Sequence, residues 1–420
     1  MAATVSFITR RFGTYDPSSL ASYEAAGGFQ ALRRALKMDG YDIAKVLADN
    51  GIQGRGGAAY DMGKKWSQAR DVKAPHKCVV CNADEGEPGT FKDRTLLQKD
   101  PFQLLEGMII AGWSVQADNG YIYLREEYSH LRYAILSAIA QCERAGHLGD
   151  DILGSGFSYR IHLYSGAGAY VCGEGSALCE SIEGKSGRPR MKPPFIKQCG
   201  AFHLPTCVNN VESLSLVPNV LMDDEGFYKS QGTPECPGTK LISVSGNVVR
   251  PGVYEIPFGI TLREIIFDLA GGIPDGRAFR LAQLGGASGR VASVHELDTP
   301  YTYKDLRKAG LTPVGSGAVL VVDDRTSVLS FLQIIQQFFS HESCGQCTPC
   351  REGNRHIKLI LDKMAAGTHT KEDLEHLRKF AEIMCVSSLC GLGETAQSAL
   401  LSCMDRFPEV FTVKEEAYAR

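Results

Sequence analysis

The sequence predicts an α/β segment, then a small β-grasp unit, then a bundle of four helices. Three observations carry this order. Between residues 46 and 236, short apolar runs alternate with glycine-rich turns and helical stretches. Between residues 237 and 325, two β-like runs flank an Arg-Pro-Gly turn and lead into a capped helix and another strand. Beyond Thr326 the apolar spacing is helical.

Taken in order, residues 1–45 read as an irregular lead-in with one short helix in "GGFQALRRALK". Cys78 to Cys81 is a short β run opening into an acidic turn, "LLEGMIIAGWSV" is a helix, and "GYIYLREEY" is a buried strand followed by a loop. "GFSYRIHLYSGAGAYVCGEGSAL" is a strand that breaks into a glycine-rich loop before another helix. The composition shifts near "GTPECPGTK". In the β-grasp segment, Thr261 and Glu264 form a capping box; Leu262, Ile265, Ile266 and Leu269 share a face, and Gly271-Gly272 stops the helix. "GAVLVVDD" supplies the further strand. In the last segment Val328, Phe331, Leu332 and Ile335 line one helix, and Ile357, Ile360, Leu361 and Met364 the next. Leu374, Leu377, Ala381 and Met384 line a third, and "ETAQSALLSCM" offers a fourth; such faces bury one another as a bundle.

Bulk properties narrow the function. A chain of 420 residues exceeds one hydrophobic core, so several domains are expected. A net charge of −3 gives no general attraction to nucleic acid or to an anionic membrane. The apolar stretches stop short of the roughly 20 residues of a membrane helix, and the N-terminus lacks the pattern of a secretory signal. Fourteen cysteines are too sparse for a disulfide scaffold and point to metal binding in a reducing compartment, hence to a cytoplasmic location.

In "SCGQCTPCREG", Cys344, Cys347 and Cys350 bring three thiolates onto one turn, which suits three corners of a cubane. Zinc sites more often pair two C-x2-C knuckles. Cys390, in the loop before the fourth helix, is the expected fourth ligand, with Cys385 as its competitor. The reading is a [4Fe–4S] cluster, with Gly345, Gly391 and Gly393 letting backbone amides approach the sulfurs. Cys78 and Cys81 have no second pair and read as buried strand thiols.

Several turns bear chemistry that is modest one by one. "GRGGAAYDMGKKW" is a glycine loop leading to lysines, able to converge amides on phosphate or simply to turn. "NADEGEP" packs Asp84, Glu85 and Glu87 into one turn, suited to sugar hydroxyls and polar ring edges, or to solvent. "SGAGAYVCGEGSAL" offers a second close-approach loop, "RPRMKPPF" sets cations beside an aromatic ring, and "PTCVNNVES" adds paired amides.

In their joint order, from about residue 25 to 410, these motifs resemble the flavin subunit of respiratory complex I. They equally resemble its paralogues, the diaphorase subunits of NAD(P)-linked hydrogenases, formate dehydrogenases and electron-bifurcating complexes. The resemblance implies a Rossmann-like flavin domain, an SLBB-type β-grasp domain and a four-helix bundle carrying the cluster. It also implies FMN and NAD(H), with hydride passing from nicotinamide to flavin and electrons leaving singly to the cluster. FMN would contact Gly54, Arg55, Gly56, Lys65, Asn82, Asp84, Glu85, Tyr170, Gly173, Glu174, Val208, Asn209 and Asn210. The dinucleotide would use Tyr60, Glu87, Lys192 and Phe195, and no acid or base residue is expected to be catalytic.

Three positions depart from the family pattern: Gly175 in "GEGS" where "GEET" is usual, Tyr60 in "AYDMG" where "GFPTG" is usual, and Gln68. Gly175 removes a carboxylate near the adenosine ribose, which admits NADP(H), with Arg188 or Arg190 to pair a 2′-phosphate. The expected partners are a small thioredoxin-like [2Fe–2S] subunit and a larger iron–sulfur subunit, since the sequence shows no such domain of its own. A soluble hydrogenase, formate dehydrogenase or transhydrogenase-type complex is the expected setting. The alternatives are the NADH-binding subunit of complex I, peripheral at the cytoplasmic face of a membrane, and an electron relay whose dinucleotide site has decayed.

Overall fold

The lead-in is more ordered than expected in the computed structural model, which describes residues 4–413. Helices α1 (Leu20–Ala25), α2 (Gln30–Ala35) and α3 (Gly40–Asp49) stand where one short helix was expected. The cause is a buried carboxylate distant in sequence. Glu106 accepts from the Tyr23 hydroxyl at 2.6 Å and from the amides of Phe29 and Leu32, both at 3.0 Å. A polar group this deep is tolerated because its oxygens are hydrogen-bonded, and it ties the segment to the first core. Residues 1–3 and 414–420, the outer ends of the lead-in and of the expected helical segment, lie outside the described residues.

Four parallel strands form the first sheet: β1 (Cys78–Ala83), β2 (Asn119–Leu124), β3 (Arg160–Ser165) and β4 (Thr206–Asn210), in the order β3-β2-β1-β4. Helices α4 (Met62–Asp71), α5 (Lys92–Lys99), α6 (Pro101–Val115), α7 (Arg132–Arg144), α8 (Gly175–Ile182) and α9 (Val211–Leu221) accompany them. Short polar side chains start several of these helices, among them Asp61 for α4, Asp100 for α6 and Asn210 for α9. The apolar run that sequence reading made a helix is the all but fully buried α6, packed against α9. A Cβ on Gly107 would lie 2.0 Å from the Leu214 carbonyl oxygen, so only glycine allows this approach.

The strand order fixes where a ligand can enter. The chain runs from β1 out through β2 to β3, then returns to lay β4 on the opposite side of β1. Such a reversal opens a crevice at the carboxyl ends of the two diverging strands, here at Asn82, which pairs in register with Asn210.

After the short helix α10 (Phe227–Ser230) and a two-stranded ribbon, β5 (Gly232–Thr233) and β6 (Cys236–Pro237), comes the β-grasp sheet. Strands β7 (Thr239–Gly246) and β8 (Gly252–Pro257) form the antiparallel hairpin anticipated around the Arg-Pro-Gly turn. With β9 (Phe279–Leu284), β10 (Val291–Ala292) and β11 (Ala318–Asp323) the order is β10-β9-β11-β7-β8, and β11 runs parallel to β7. The Thr261–Glu264 box is present: the Glu264 carboxylate accepts the Thr261 amide at 2.8 Å, and the Thr261 hydroxyl accepts the Glu264 amide at 3.2 Å. It opens a wide-wound turn, Glu264–Leu269, that buries Ile265 and Ile266. Helix α11 (Tyr303–Lys308) follows before β11.

The bundle comprises α12 (Val328–Glu342), α13 (Thr348–Ala366), α14 (Lys371–Ser387), the short α15 (Gly391–Thr395) and α16 (Ser398–Arg406). The fourth helix is split: its expected start becomes α15, and α16 begins only at Ser398. Buried Gln397 sits at the break and donates to Asn354 Oδ1 at 3.1 Å, an oxygen that also accepts from Gln336 at 2.9 Å. Among the described residues no helix is long and apolar enough to cross a membrane.

Candidate functional site

Asn82, Asp84, Gly173, Gly56 and Asn210 come together at the crevice, and several other candidates turn their polar groups to structural tasks. Asn82 donates to the Gly173 carbonyl at 2.9 Å, joining β1 to the turn before α8. Asp84 Oδ2 is buried without a partner, and burial pushes its carboxyl up to about 7. The Lys65 amine donates to the Val208 carbonyl, and burial lowers its affinity for the proton. Gly56 backs onto Asn210, where an added Cβ would come within 3.2 Å of the Asn210 Cβ. Gly57 follows with φ +123°, a conformation that favours glycine.

Three candidates behave differently from the sequence expectation of direct contact. Glu85 accepts the amides of Asp93 at 2.8 Å and Arg94 at 3.1 Å and the Tyr128 hydroxyl at 2.9 Å, so its carboxylate holds the start of α5. Glu174 caps α8 through the amides of Ser176 at 2.8 Å and Ala177 at 3.0 Å, and pairs with Lys192 at 2.9 Å. Burial opposes ionisation there, but those hydrogen bonds hold its carboxyl below the usual range. Arg55, only 1% exposed, sends its guanidinium to the Tyr228 hydroxyl at 2.7 Å, the Thr239 carbonyl at 2.9 Å and the Tyr303 hydroxyl at 3.0 Å.

A buried network runs from the crevice to the β-grasp sheet. The Asn210 amide donates to Asp93 at 2.6 Å, and its carbonyl accepts from Lys92 at 3.2 Å. Lys92 pairs with Asp93 at 2.6 Å and with Glu212 at 3.0 Å, and Glu212 also takes the Lys240 amine from β7. Although burial opposes it, Lys240, Lys92 and Arg55 hold Glu212 down to about 2. Asn209 sits beside this chain but faces the core, receiving the Trp66 indole N–H at 3.3 Å.

The dinucleotide candidates lie at the rim. Tyr60 and Phe195 are exposed aromatic rings, 44% and 50% accessible, on loops joined through Gln68. Gln68 Oε1 accepts from the Tyr60 hydroxyl at 3.1 Å and from Lys197 at 2.9 Å. Glu87 lies deeper: one oxygen takes the Ser288 amide at 2.9 Å and the Ser288 hydroxyl, while the other is buried without a partner. Lys197 and Ser288 were missed in the sequence, because Ser288 lies in the distant turn between β9 and β10 and nothing local marks either one.

The cysteine question resolves in one cavity, lined by Cys344, Cys347, Cys350 and Cys390 together with Val171, Pro189 and Leu392. Cys385 is not in that lining; its charged neighbours are Arg290, Glu382 and Glu394. Helix order explains the geometry: Cys344 follows α12, Cys347 and Cys350 open α13, and Cys390 precedes α15. Amides of Gly393 and Leu392 approach the Cys390 sulfur, and the Ser343 hydroxyl lies 3.2 Å from that of Cys350. Gly393 is required, since a Cβ there would lie 2.5 Å from the Ser388 hydroxyl. Burial, then the neighbouring sulfurs, pushes the Cys350 thiol up to about 11; bound iron would offset that by holding the thiolate. The cavity and the crevice share one turn: of Tyr170–Gly173, Val171 lines the cavity and the Gly173 carbonyl meets Asn82.

The donor sets suit the groups implied. Four thiols around one cavity match a cubane, and orphaned carboxylate oxygens with glycine amides at a switch-point crevice match a polar flavin edge. Fold and site together define an iron–sulfur flavoprotein subunit. Family comparison agrees region by region. Residues 47–219 match the Nuo51 FMN-binding domain, residues 241–292 the SLBB domain, and residues 330–414 the NADH-ubiquinone oxidoreductase-F iron-sulfur binding region. The chain is 40% identical over 410 residues to an F-type subunit of the NADH-quinone oxidoreductase of Rhizobium meliloti, covering 97% of each. It is 41% identical over 399 residues to the HndC component of the NADP-reducing hydrogenase of Solidesulfovibrio fructosivorans, covering 95% of this chain and 81% of that one. A chain of a solved NAD+-reducing [NiFe]-hydrogenase superposes with a TM-score of 0.82 at 37% identity, covering 90% of this chain but only 62% of that one.

The protein belongs to the family of F-type subunits of NADH-quinone oxidoreductases and their hydrogenase paralogues. It is an oxidoreductase subunit that carries FMN and a [4Fe–4S] cluster and transfers electrons between NAD(P)H, flavin and cluster.

Proposed function

We propose that this chain is the NAD(P)H-linked entry subunit of a soluble multi-subunit redox complex. FMN would lie across the β1/β4 crevice, against Gly54, Gly56, Lys65, Asn82, Asp84, Gly173, Val208 and Asn210, with Tyr170 at its edge. Arg55, Glu85, Glu174 and Asn209 would act on it through backbone or through the elements they hold. Cys344, Cys347, Cys350 and Cys390 would ligate the iron–sulfur cluster, and Tyr60, Glu87, Lys192 and Phe195 would meet the dinucleotide. The segments 46–236, 237–325 and 326–420 would serve as flavin, SLBB-type and iron–sulfur domains. When bound, FMN supplies two-electron exchange with the nicotinamide and one-electron exchange with the cluster.

The observation that carries this reading is the Tyr170–Gly173 turn, which faces crevice and cysteine cavity at once. Only one layer of protein would then separate the two centres. The rim rings offer planar faces for stacking. The unpaired oxygens of Asp84 and Glu87 leave acceptors for ring or sugar hydrogens.

NADP(H) is admitted as well as NAD(H). Gly175 carries no charge, and Arg188 is exposed, whereas Arg190 is committed to Glu180, to Glu183 at 2.8 Å and to the Gly200 carbonyl at 2.9 Å. Arg188 is therefore the 2′-phosphate partner in this reading. The partners would be a small thioredoxin-like [2Fe–2S] subunit and a larger iron–sulfur subunit, since the relatives bear the names of subunits of quinone reductases and hydrogenases. The test is NADH- or NADPH-driven reduction of ferricyanide or viologen by FMN-loaded protein. Absence of turnover with both nucleotides would leave the chain as an electron relay.

A further inference from the structure

We infer that Glu342 is a positioning residue that fixes the turn between flavin crevice and cysteine cavity. The inference rests on the reading above, in which the crevice holds FMN. Glu342 is the last residue of α12, and its Oε2 accepts the Tyr170 backbone N–H at 2.9 Å. Tyr170 opens the turn whose next residue, Val171, lines the cavity and whose end, Gly173, binds Asn82 of the crevice. The two residues after Glu342 reach the cavity directly: the Ser343 hydroxyl lies 3.2 Å from the Cys350 sulfur, and Cys344 is in its wall.

The same helix end holds the Tyr170 ring. Phe338 and Phe339 meet it edge to face, with centroids 5.1 and 6.3 Å away. Ahead of the turn, the Gly166 amide is tied to the Leu124 carbonyl at 2.7 Å, but Ala167 and Gly168 are exposed and Gly168 adopts φ +78°. Glu342 therefore couples the end of a cluster-bearing helix to the loop that forms one wall of the crevice. A hydrogen bond to a carboxylate biases such a turn about tenfold or more toward the bonded conformation. Glu342 also lies close enough to Asp84 and Cys172 for its charge to act on them, so acceptor and charge must be separated.

Two variants of the full chain do that. Glu342→Gln keeps an acceptor and loses the charge; Glu342→Ala loses both. Amide hydrogen exchange over residues 166–174 is expected to accelerate about tenfold in Glu342→Ala and to stay within about twofold of wild type in Glu342→Gln. After mixing FMN- and cluster-loaded protein with NADH, flavin bleaching should keep its wild-type rate in Glu342→Gln. The spin signal of the reduced cluster should appear about tenfold more slowly in Glu342→Ala alone. Wild-type exchange and wild-type cluster reduction in Glu342→Ala would overturn the proposal; so would a Glu342→Gln as slow as Glu342→Ala, which would assign the effect to charge. A wild-type chain that takes up no FMN would remove the functional reading, while hydrogen exchange on the same chain would still decide whether Glu342 holds the turn.

Discussion

Replacing Arg55 by methionine separates two roles that sequence alone could not tell apart. The glycine-loop motif made Arg55 a flavin contact, yet its guanidinium is buried against Tyr228, Tyr303 and the Thr239 carbonyl, with the Phe258 ring 5.1 Å away. Methionine keeps much of the volume but leaves two hydroxyls and a carbonyl without their charged donor. Glu212, 4.0 Å from Arg55 Nε, retains Lys240 and Lys92, so no carboxylate is stranded. Leaving two buried hydroxyls and a carbonyl unsatisfied costs about 1–3 kcal/mol each, so about 3–5 kcal/mol together, a large share of the roughly 5–15 kcal/mol that stabilises a typical domain. At about 2–4 °C per kcal/mol for a domain of this size, the midpoint should fall by roughly 10 °C. Thermal unfolding with and without saturating FMN, alongside FMN titration, is the assay, since a ligand raises the midpoint by mass action. The expected result is an apo midpoint lowered by that amount, with FMN affinity weakened only secondarily. An unchanged apo midpoint with collapsed FMN affinity would refute the reasoning and return the side chain to the flavin.

Other consequences can be checked independently. Cys390→Ser should abolish retention of four iron atoms per chain in reconstituted protein, whereas Cys385→Ser should keep them; iron and sulfide analysis decides between the two. Gly175→Glu should raise KM for NADPH at least about tenfold while leaving KM for NADH within about threefold, because a carboxylate would face the 2′-phosphate. Since the Glu212 carboxyl is held near 2 in the fold and lies near 4.5 otherwise, its contribution is present above about pH 4.5 and lost as pH falls toward 2. Glu212→Gln should therefore flatten the loss of thermal midpoint over that window, and an unchanged acid profile would show that another carboxylate sets it.

Much of the architecture was legible because local rules and tertiary structure agree. The Thr261–Glu264 box, the hairpin around Arg250-Pro251-Gly252 and the helical spacing beyond Thr326 each describe contacts within a few residues. The place of Cys390 beside the other three cysteines was legible for a related reason: helices of similar length return a loop to the place where the first loop left. The ordered lead-in was not legible, because its capping group is Glu106 on a distant helix. Nor were the side-chain partners of Arg55, Glu85 and Glu174. A polar residue in a glycine-rich motif advertises polarity without direction, and only the packed structure shows which way the side chain turns.

That direction explains why a β-grasp unit accompanies a flavin crevice at all. Two of the loops that shape the crevice, and the helix that follows β4, are gripped by this second unit. The Thr239 carbonyl takes Arg55 of the glycine loop, Lys240 takes Glu212 just beyond Asn210, and Ser288 takes Glu87 of the acidic turn. None of the three β-grasp partners belongs to the sequence-selected site; two of the bonds are made to its loops and the third to the start of α9. Loops fixed from behind in this way keep a set shape for a ligand to meet. The unit therefore acts on electron transfer without touching the transferred electron, by setting the shape against which the cofactor must fit.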